Sequence, residues 1–275
     1  MKKISFTKMS GAGNDFVVID NRGGGLPDKP ALARRLCDRH WGIGADGLLV
    51  LEKSESADYR MEYYNADGSH GGMCGNGGRC IAAYAFKRNI AERLHSFEAL
   101  NFRYKAVVSE EVVTLTMKDP KDLRIGMMLP LSSGEMRLHF VNTGAPHAVV
   151  VIGDGNKLNS ETMDVQGVGR EIREHPYFRP SGTNVNFVEA AGQSLLRIRT
   201  YERGVEAETL ACGTGSIASA VVAAALGRVR GSVDVHVRSG SVLRVDFEVG
   251  EEKGEFRNIR LTGPAVEVFE GRFVV

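Results

Sequence analysis

The chain has 275 residues, 43% hydrophobic and 25% charged, with 35 basic against 34 acidic side chains and a net charge of +1. That is a soluble globular composition, long for one core and comfortable for two lobes, and it shows no basic excess of the kind a nucleic-acid binder carries. The longest apolar run, residues 220–226, falls far short of the ~20 residues needed to cross a bilayer, so no membrane association is expected.

In chain order, the opening "MKKISFTKMSGAGNDF" lacks the apolar core of a signal peptide, which points to the cytoplasm. In that reducing compartment the four cysteines (Cys37, Cys74, Cys80, Cys212) should be free thiols; their spacings form neither CxxC pairs nor a metal-ligand set. "KPALARRLCDRH" (29–40), with a proline near its start, predicts one helix ending at His40. "GIGADG" (42–47) has GxGxxG spacing, but it precedes the apolar run "LLVLE" instead of joining a strand to a helix. The dinucleotide fingerprint needs that order, so this reading is rejected.

A strand ending at Tyr64 leads through a polar turn to "MCGNGGRCIAAYAF" (73–86), whose residues 80–86 predict a helix that is apolar all round. "VVTLTMK" then alternates Val113, Leu115 and Met117 with polar residues, as a half-buried strand does. The stretch 120–135, "PKDLRIGMMLPLSSGE", reads as a junction, and 162–175 holds a shorter helix ending at His175. A second strand ending in tyrosine, Tyr201, precedes "ETLACGTGSIASAVVAAALG" (208–227). There 217–226 predicts another all-apolar helix, with Gly227 as its stop. Alternating strands follow in "VDVHVR" and "VLRVDF".

The halves thus repeat one order: helix, strands, a strand ending in tyrosine, a polar turn, a cysteine, an apolar helix. A helix without a polar face must be covered on all sides, and with strands abundant the cover is a sheet. The expected fold is α+β: two pseudo-symmetric lobes, each a curled, mainly antiparallel sheet around a central apolar helix. Residues 1–125 would form the first lobe and 126–262 the second, with 263–275 a C-terminal strand able to return to the first.

A cysteine at the start of each buried helix has specific chemistry. The first helical turn leaves backbone N–H groups without internal partners, and the peptide dipoles add roughly half a positive charge there. Both favour a thiolate, and the same N–H groups can hold a carboxylate. Two such ends acting on one carbon suit proton removal from one face and delivery to the other, an inversion without cofactor. Against this, a lone cysteine before an apolar helix is more often a small core residue. Cys37, in an amphipathic helix, and Cys80, six residues into a buried one, are read that way. For Cys74 and Cys212 the repeated C-G-x-G followed by an apolar helix favours reactivity. A cysteine-protease reading would leave the second cysteine unexplained.

Six stretches carry a resemblance: "FTKMSGAGNDFVVID", "GIGADG", "YYNADGSHGGMCGNGGRC", "TGAPH", "GTNVNF" and "YERGVEAETLACGTGS". In this order, over residues 6–216, the sequence resembles the diaminopimelate epimerase family. The resemblance implies cofactor-independent interconversion of LL- and meso-2,6-diaminopimelate, in lysine and cell-wall precursor synthesis, by a homodimer holding no metal. It implies Cys74 and Cys212 as the acid/base pair. Gly75 and Asn76, with Gly213 and Thr214, would bind the reacting α-carboxylate. Asn14, Asn65, Asn184 and Arg203 would hold the rest of the substrate, Arg203 through its planar fork on a distal carboxylate. His147 and Glu202 would sit near the reacting centre; Glu202 would also contact substrate.

Outside these motifs the same residues would be ordinary. Glu202 and Arg203 would be a surface pair worth little, His147 structural, Asn14 and Asn65 turn residues. The chain also departs from the family pattern. Gly47 stands where many members carry glutamine, Ala145 where many carry asparagine, and Ala207 where glycine is common. The first two remove amides expected at the distal end of the substrate. A racemase of another amino acid, such as histidine, is therefore the alternative. A catalytically silent binder of a zwitterionic amino acid is disfavoured because binding alone requires neither thiol.

Overall fold

A computed structural model describes residues 3–110, 112–155, 162–252 and 254–274. Its contacts divide the chain into two compact units, residues 1–116 with 262–275, and residues 117–261. The first unit opens with the antiparallel hairpin β1 (Lys3–Gly11) and β2 (Asn14–Asp20), followed by helix α1 (Lys29–Cys37). Strand β3 (Gly47–Glu52) returns parallel to β2, and β4 (Tyr59–Asn65) pairs antiparallel with β3. Helix α2 (Gly75–Lys87) leads to β5 (Leu94–Ala99), parallel to β4, then to antiparallel β6 (Phe102–Val108) and β7 (Val112–Thr116). The C-terminal strand, Val266–Val274, pairs antiparallel with β1. Of the C-terminal segment read from the sequence as 263–275, residue 275 lies outside the described residues.

Strand β3 is buried along its whole length, which accounts for its unbroken "GLLVLE" run: it is covered by helices on both faces. Leu48 and Val50, with Val17 and Ile19 of β2, pack against Leu32, Ala33 and Leu36 of α1. Successive side chains of a strand alternate faces, so Leu49 and Leu51 point to the side on which α2 lies. Helix α2 is touched by β1, β2, β3, β4, β6 and β7, and its residues 75–85 are all buried. This is the cover its missing polar face demanded.

The second unit repeats that order. Strands β8 (Lys121–Leu131) and β9 (Gly134–Asn142) form an antiparallel pair, and β10 (Pro146–Val151) pairs antiparallel with β9. After helix α3 (Val165–Glu174), β11 (Asn184–Gly192) runs parallel to β10. Strand β12 (Leu195–Glu202) pairs antiparallel with β11, with the short β13 (Ala207–Thr209) beside it. Helix α4 (Gly213–Ala225) is followed by β14 (Val233–His236), parallel to β12, then β15 (Val242–Val249) and β16 (Phe256–Pro264). Helix α4 is enclosed by β9, β10, β11, β12, β14 and β15, while Val165 and Ile172 of α3 cover the opposite face with Phe178, Val185 and Phe187. The chain is therefore α+β, with one sheet-wrapped apolar helix in each unit. Among the described residues, no helix is long and apolar enough to cross a membrane.

The structure departs from the sequence reading in two places. Helix α1 ends at Cys37, short of His40. The Asp38 carboxylate accepts the His40 and Trp41 backbone N–H groups at 2.7 Å, and the Ile43 and Gly44 N–H groups turn back onto the Leu36 carbonyl. These bonds compete with further helix. The supposed junction at 120–135 is mostly strand β8. Its register with β9 shifts between Lys121 and Arg124 and again between Arg124 and Met127, so the period-two pattern that would have marked it is broken.

Candidate active site

Both cysteines singled out by the sequence are helix N-caps. Cys74 precedes α2 with φ −111° and ψ 120°, and Cys212 precedes α4 with φ −126° and ψ 111°. An extended N-cap residue places its side chain beside the unpaired N–H groups of the first turn. The Cys74 sulfur accepts from the Gly77 N–H at 3.5 Å, whereas Cys212 makes no side-chain cap bond. None of the four cysteines is in a disulfide; Cys74 is half-buried, the other three buried. Cys37 and Cys80 differ from the N-cap pair in lying inside helices, where burial pushes each thiol up to about 12. They are core residues.

In the first unit, Asn14 joins the site together. Its Oδ1 lies 3.6 Å from Cys74 Sγ and accepts from Asn76 Nδ2 at 3.3 Å, while its Nδ2 donates to Asp46 Oδ2 at 2.7 Å. Asp46 belongs to a balanced cluster: Arg39 bridges Asp15 and Asp46 at 3.0 and 2.8 Å, and Lys8 pairs with Asp15 at 2.7 Å. Burial works to raise the Asp15 carboxyl, but bonds from Arg39 and Lys8 outweigh it and hold the group at about 2. Asn65, ending β4 opposite Gly47, donates to Ser69 Oγ at 2.9 Å. A Cβ on Gly47 would meet the Tyr63 ring at 2.4 Å and the Tyr64 carbonyl oxygen at 2.7 Å. The ring of Tyr63 thus lies against the position of Gly47.

In the second unit, His147 is the hub. It is fully buried on β10, directly opposite Asn184 of β11. Its Nδ1 lies 2.8 Å from Asn186 Oδ1 and its Nε2 lies 3.0 Å from the Thr214 hydroxyl, which is 3.6 Å from Cys212 Sγ. Asn186 in turn donates to the Thr200 hydroxyl at 2.9 Å. With Asn186 Oδ1 accepting, Nδ1 carries the imidazole proton, and Nε2 accepts from Thr214. Burial, against the pull of the Asn186 bond, pushes the imidazole down to about 4, so His147 is neutral at pH 7. Close approach of strand and helix here depends on Gly215, whose Cβ would fall 2.3 Å from Asn186 Nδ2.

Asn184 spans its neighbours, donating to the Pro146 carbonyl at 3.1 Å and accepting the Arg203 backbone N–H at 2.9 Å. Glu202, at the end of β12, accepts from the Thr209 hydroxyl at 3.0 Å. The Arg203 guanidinium donates to the Ser181 carbonyl at 2.8 Å and lines a cavity of about 370 Å³ with Arg124, Arg179, Tyr177 and Asn142. Among the described residues, no carboxylate lines that cavity. Among the described residues, no group of three or more His, Cys, Asp or Glu side chains is placed to hold a metal ion.

The sequence reading missed Asp46, Arg79, Asn186 and Thr200. Asn186 had a signal: it lies two residues from Asn184 in "GTNVNF", and period two puts both on one strand face. Arg79 stood inside a quoted motif; nothing local showed that it would be fully buried.

The model of the family described as diaminopimelate epimerase matches residues 6–127 and 139–268. A diaminopimelate epimerase of Chlorobaculum tepidum is 47% identical over 268 residues, covering 96% of this chain and 98% of its own. One from Flavobacterium psychrophilum is 41% identical, covering 96% of this chain and 97% of its own. Among solved structures, a probable proline racemase from Agrobacterium radiobacter superposes with TM-score 0.76 at 19% identity, covering 99% of this chain and 92% of that one. A hydroxyproline epimerase from Agrobacterium vitis gives TM-score 0.72 at 18% identity, covering 98% of this chain and 92% of that one. At such identities the structures speak for the fold alone, while the sequence matches run nearly end to end, and the family match spans positions 74 and 212. The chain belongs to the diaminopimelate epimerase family and is an isomerase.

Proposed function

We propose that the protein epimerises LL-2,6-diaminopimelate to the meso form, for lysine and peptidoglycan precursor synthesis, by a two-base mechanism using Cys74 and Cys212. The observation that carries this reading is the matched placement of the two cysteines as N-caps of the two enclosed helices. One sulfur, as thiolate, takes the α-proton: the C–H bond breaks, an S–H bond forms, and the electron pair moves into the α-carboxylate. The other thiol gives its proton to the opposite face of the same carbon and becomes the thiolate, so roles exchange in the reverse direction. N–H groups of Gly75 and Asn76, and of Gly213 and Thr214, hold the carboxylate where its charge builds up.

Neutral His147 keeps the Thr214 hydroxyl oriented, and Asn14 orients Asn76. Asn65, Asn184, Glu202 and Arg203 hold the remainder of the substrate. The cavity lined by Arg124, Arg179 and Arg203 supports a carboxylate at the distal end, since guanidinium forks suit bidentate carboxylate binding.

The test follows α-deuteration and inversion by NMR in D₂O with LL-diaminopimelate and with L-histidine. Cys74→Ala and Cys212→Ala should each abolish inversion, and Arg203→Met should reduce kcat/KM for diaminopimelate far more than Arg203→Lys. Normal inversion by either cysteine variant would sink the two-base mechanism. Faster turnover of histidine than of diaminopimelate would transfer the substrate assignment to a histidine racemase, a reading that the absence of an amide at Gly47 and Ala145 would then explain.

A further inference from the structure

Arg203 stands in the turn between β12 and β13, residues 203–206, and a turn aims a side chain only as firmly as its own backbone is held. Strand β12 ends at Glu202, whose carbonyl accepts the Glu206 N–H at 2.8 Å and closes the turn. Gly204 and Glu206 both take left-handed backbone angles, φ 92° and 58°. Glycine adopts them freely. A residue with a side chain does so at a cost, and keeps them only where its surroundings over-determine them.

Glu206 has such surroundings. Its Oε1 accepts the Gly204 N–H at 3.0 Å and both Nε and Nη2 of Arg173, at 3.2 and 3.0 Å. Its Oε2 accepts from the Tyr201 hydroxyl at 3.3 Å, and its backbone carbonyl from Gln166 Nε2 at 3.1 Å. Burial works to raise the carboxyl, but the bonds from Gly204, Arg173 and Tyr201 outweigh it and hold the group below the usual carboxylate range.

A partly exposed ion pair is by itself worth little. What sets this one apart is what it joins. Arg173 and Gln166 belong to α3, which Val165 and Ile172 fix in the core. Arg173 also packs against Gly182, where a Cβ would run into its guanidinium. Next to Gly182, the Ser181 carbonyl accepts from the Arg203 guanidinium at 2.8 Å, and Asn184 Oδ1 accepts the Arg203 backbone N–H at 2.9 Å. Arg173 therefore lies between the two segments that hold Arg203, touching one through Glu206 and the other at Gly182.

We propose that Glu206 is a positioning residue: with Arg173 it clamps the 203–206 turn to α3 beside the 181–184 segment, and so presets the Arg203 fork for the distal carboxylate of the substrate. The inference rests on the distal-carboxylate reading of Arg203 above. Backbone hydrogen exchange, which needs no substrate, tells failure of one from failure of the other.

The experiment uses the whole protein with Glu206→Ala, which removes both carboxylate oxygens, and Glu206→Gln, which keeps one oxygen to accept from Gly204 and Arg173. In hydrogen exchange read by mass spectrometry, Glu206→Ala should speed exchange of the peptide spanning 202–209 about tenfold and leave peptides of α4 at the wild-type rate. In inversion of LL-diaminopimelate it should raise KM about tenfold while kcat falls no more than about twofold, as when a contact made equally in ground and transition states is lost. Glu206→Gln should recover most of both losses. Added to Arg203→Met, Glu206→Ala should lower kcat/KM by less than about twofold more, because no fork is left to aim. A merely structural carboxylate would lower the melting temperature with KM unmoved, and its loss would multiply with that of Arg203→Met. Wild-type exchange in 202–209 of Glu206→Ala overturns the proposal, as do multiplying losses in the double variant. Faster exchange with an unchanged KM overturns it too; if Arg203→Met also leaves KM unchanged, the fault lies in the distal-carboxylate reading. Should Glu206→Ala not fold, Arg173→Met takes its place with the same outcomes expected.

Discussion

Acidification should expose the cost of keeping His147 neutral inside the second unit. The imidazole is fully buried, and burial takes it from its ordinary 6.5 to about 4. Between those values the unfolded chain binds a proton that the folded chain refuses, so unfolding is favoured as pH falls. The contribution is fully present above 6.5, declines from there, and is exhausted below 4. The whole window is worth about 3 kcal/mol, and roughly 2 kcal/mol of it should go between pH 7 and 4.5. Asp15 does not confuse this interval, because its carboxyl, held at about 2, stays ionised throughout it. Buried His95 and His139 are lowered too and add slope of the same sign, so the His147 share must be isolated by difference. The assay is urea unfolding of wild type and His147→Gln at pH 7 and 4.5. Wild type should lose about 2 kcal/mol more than the variant over that interval. Equal losses in the two proteins would refute the reasoning, as would an imidazole titrating near 6.5 in a ¹⁵N NMR experiment on the folded protein.

Gly47→Gln should destabilise by about 1–3 kcal/mol in thermal or denaturant unfolding, because its Cβ runs into Tyr63 and the Tyr64 carbonyl. Pairing it with Tyr63→Ala should recover part of the loss; an undiminished single variant would show that β3 and β4 yield more easily than their packing implies. Cys37 and Cys80, with thiols at about 12, should resist alkylation at pH 8 in the folded protein while the N-cap pair reacts. Alanine at either should cost about 1–3 kcal/mol of stability and leave inversion intact; loss of inversion without loss of stability would give that cysteine a chemical role.

Much of this molecule was written in short-range pattern. Apolar runs of helical length with no polar side required enclosure, and alternation in "VVTLTMK", "VDVHVR" and "VLRVDF" marked strands that form as β7, β14 and β15. A cysteine followed by Gly-x-Gly at the head of each apolar run identified both N-caps, because capping is a property of four or five consecutive residues. What depends on distant partners was not legible. Strand β8 escaped notice since its shifting register with β9 destroys the period, and α1 stopped early because the Asp38 turn outcompeted one more helical turn. The neutrality of His147 comes from the strands that seal it from water, and its orientation from Asn186 and Thr214, residues 39 and 67 positions away in sequence. Arg79 looks like any arginine on a helix until the sheet closes around it. Sequence sets which groups are available and how the backbone begins and ends its elements; burial and the company a charge keeps are set only when remote segments pack, since desolvation and Coulomb energies depend on distance in space.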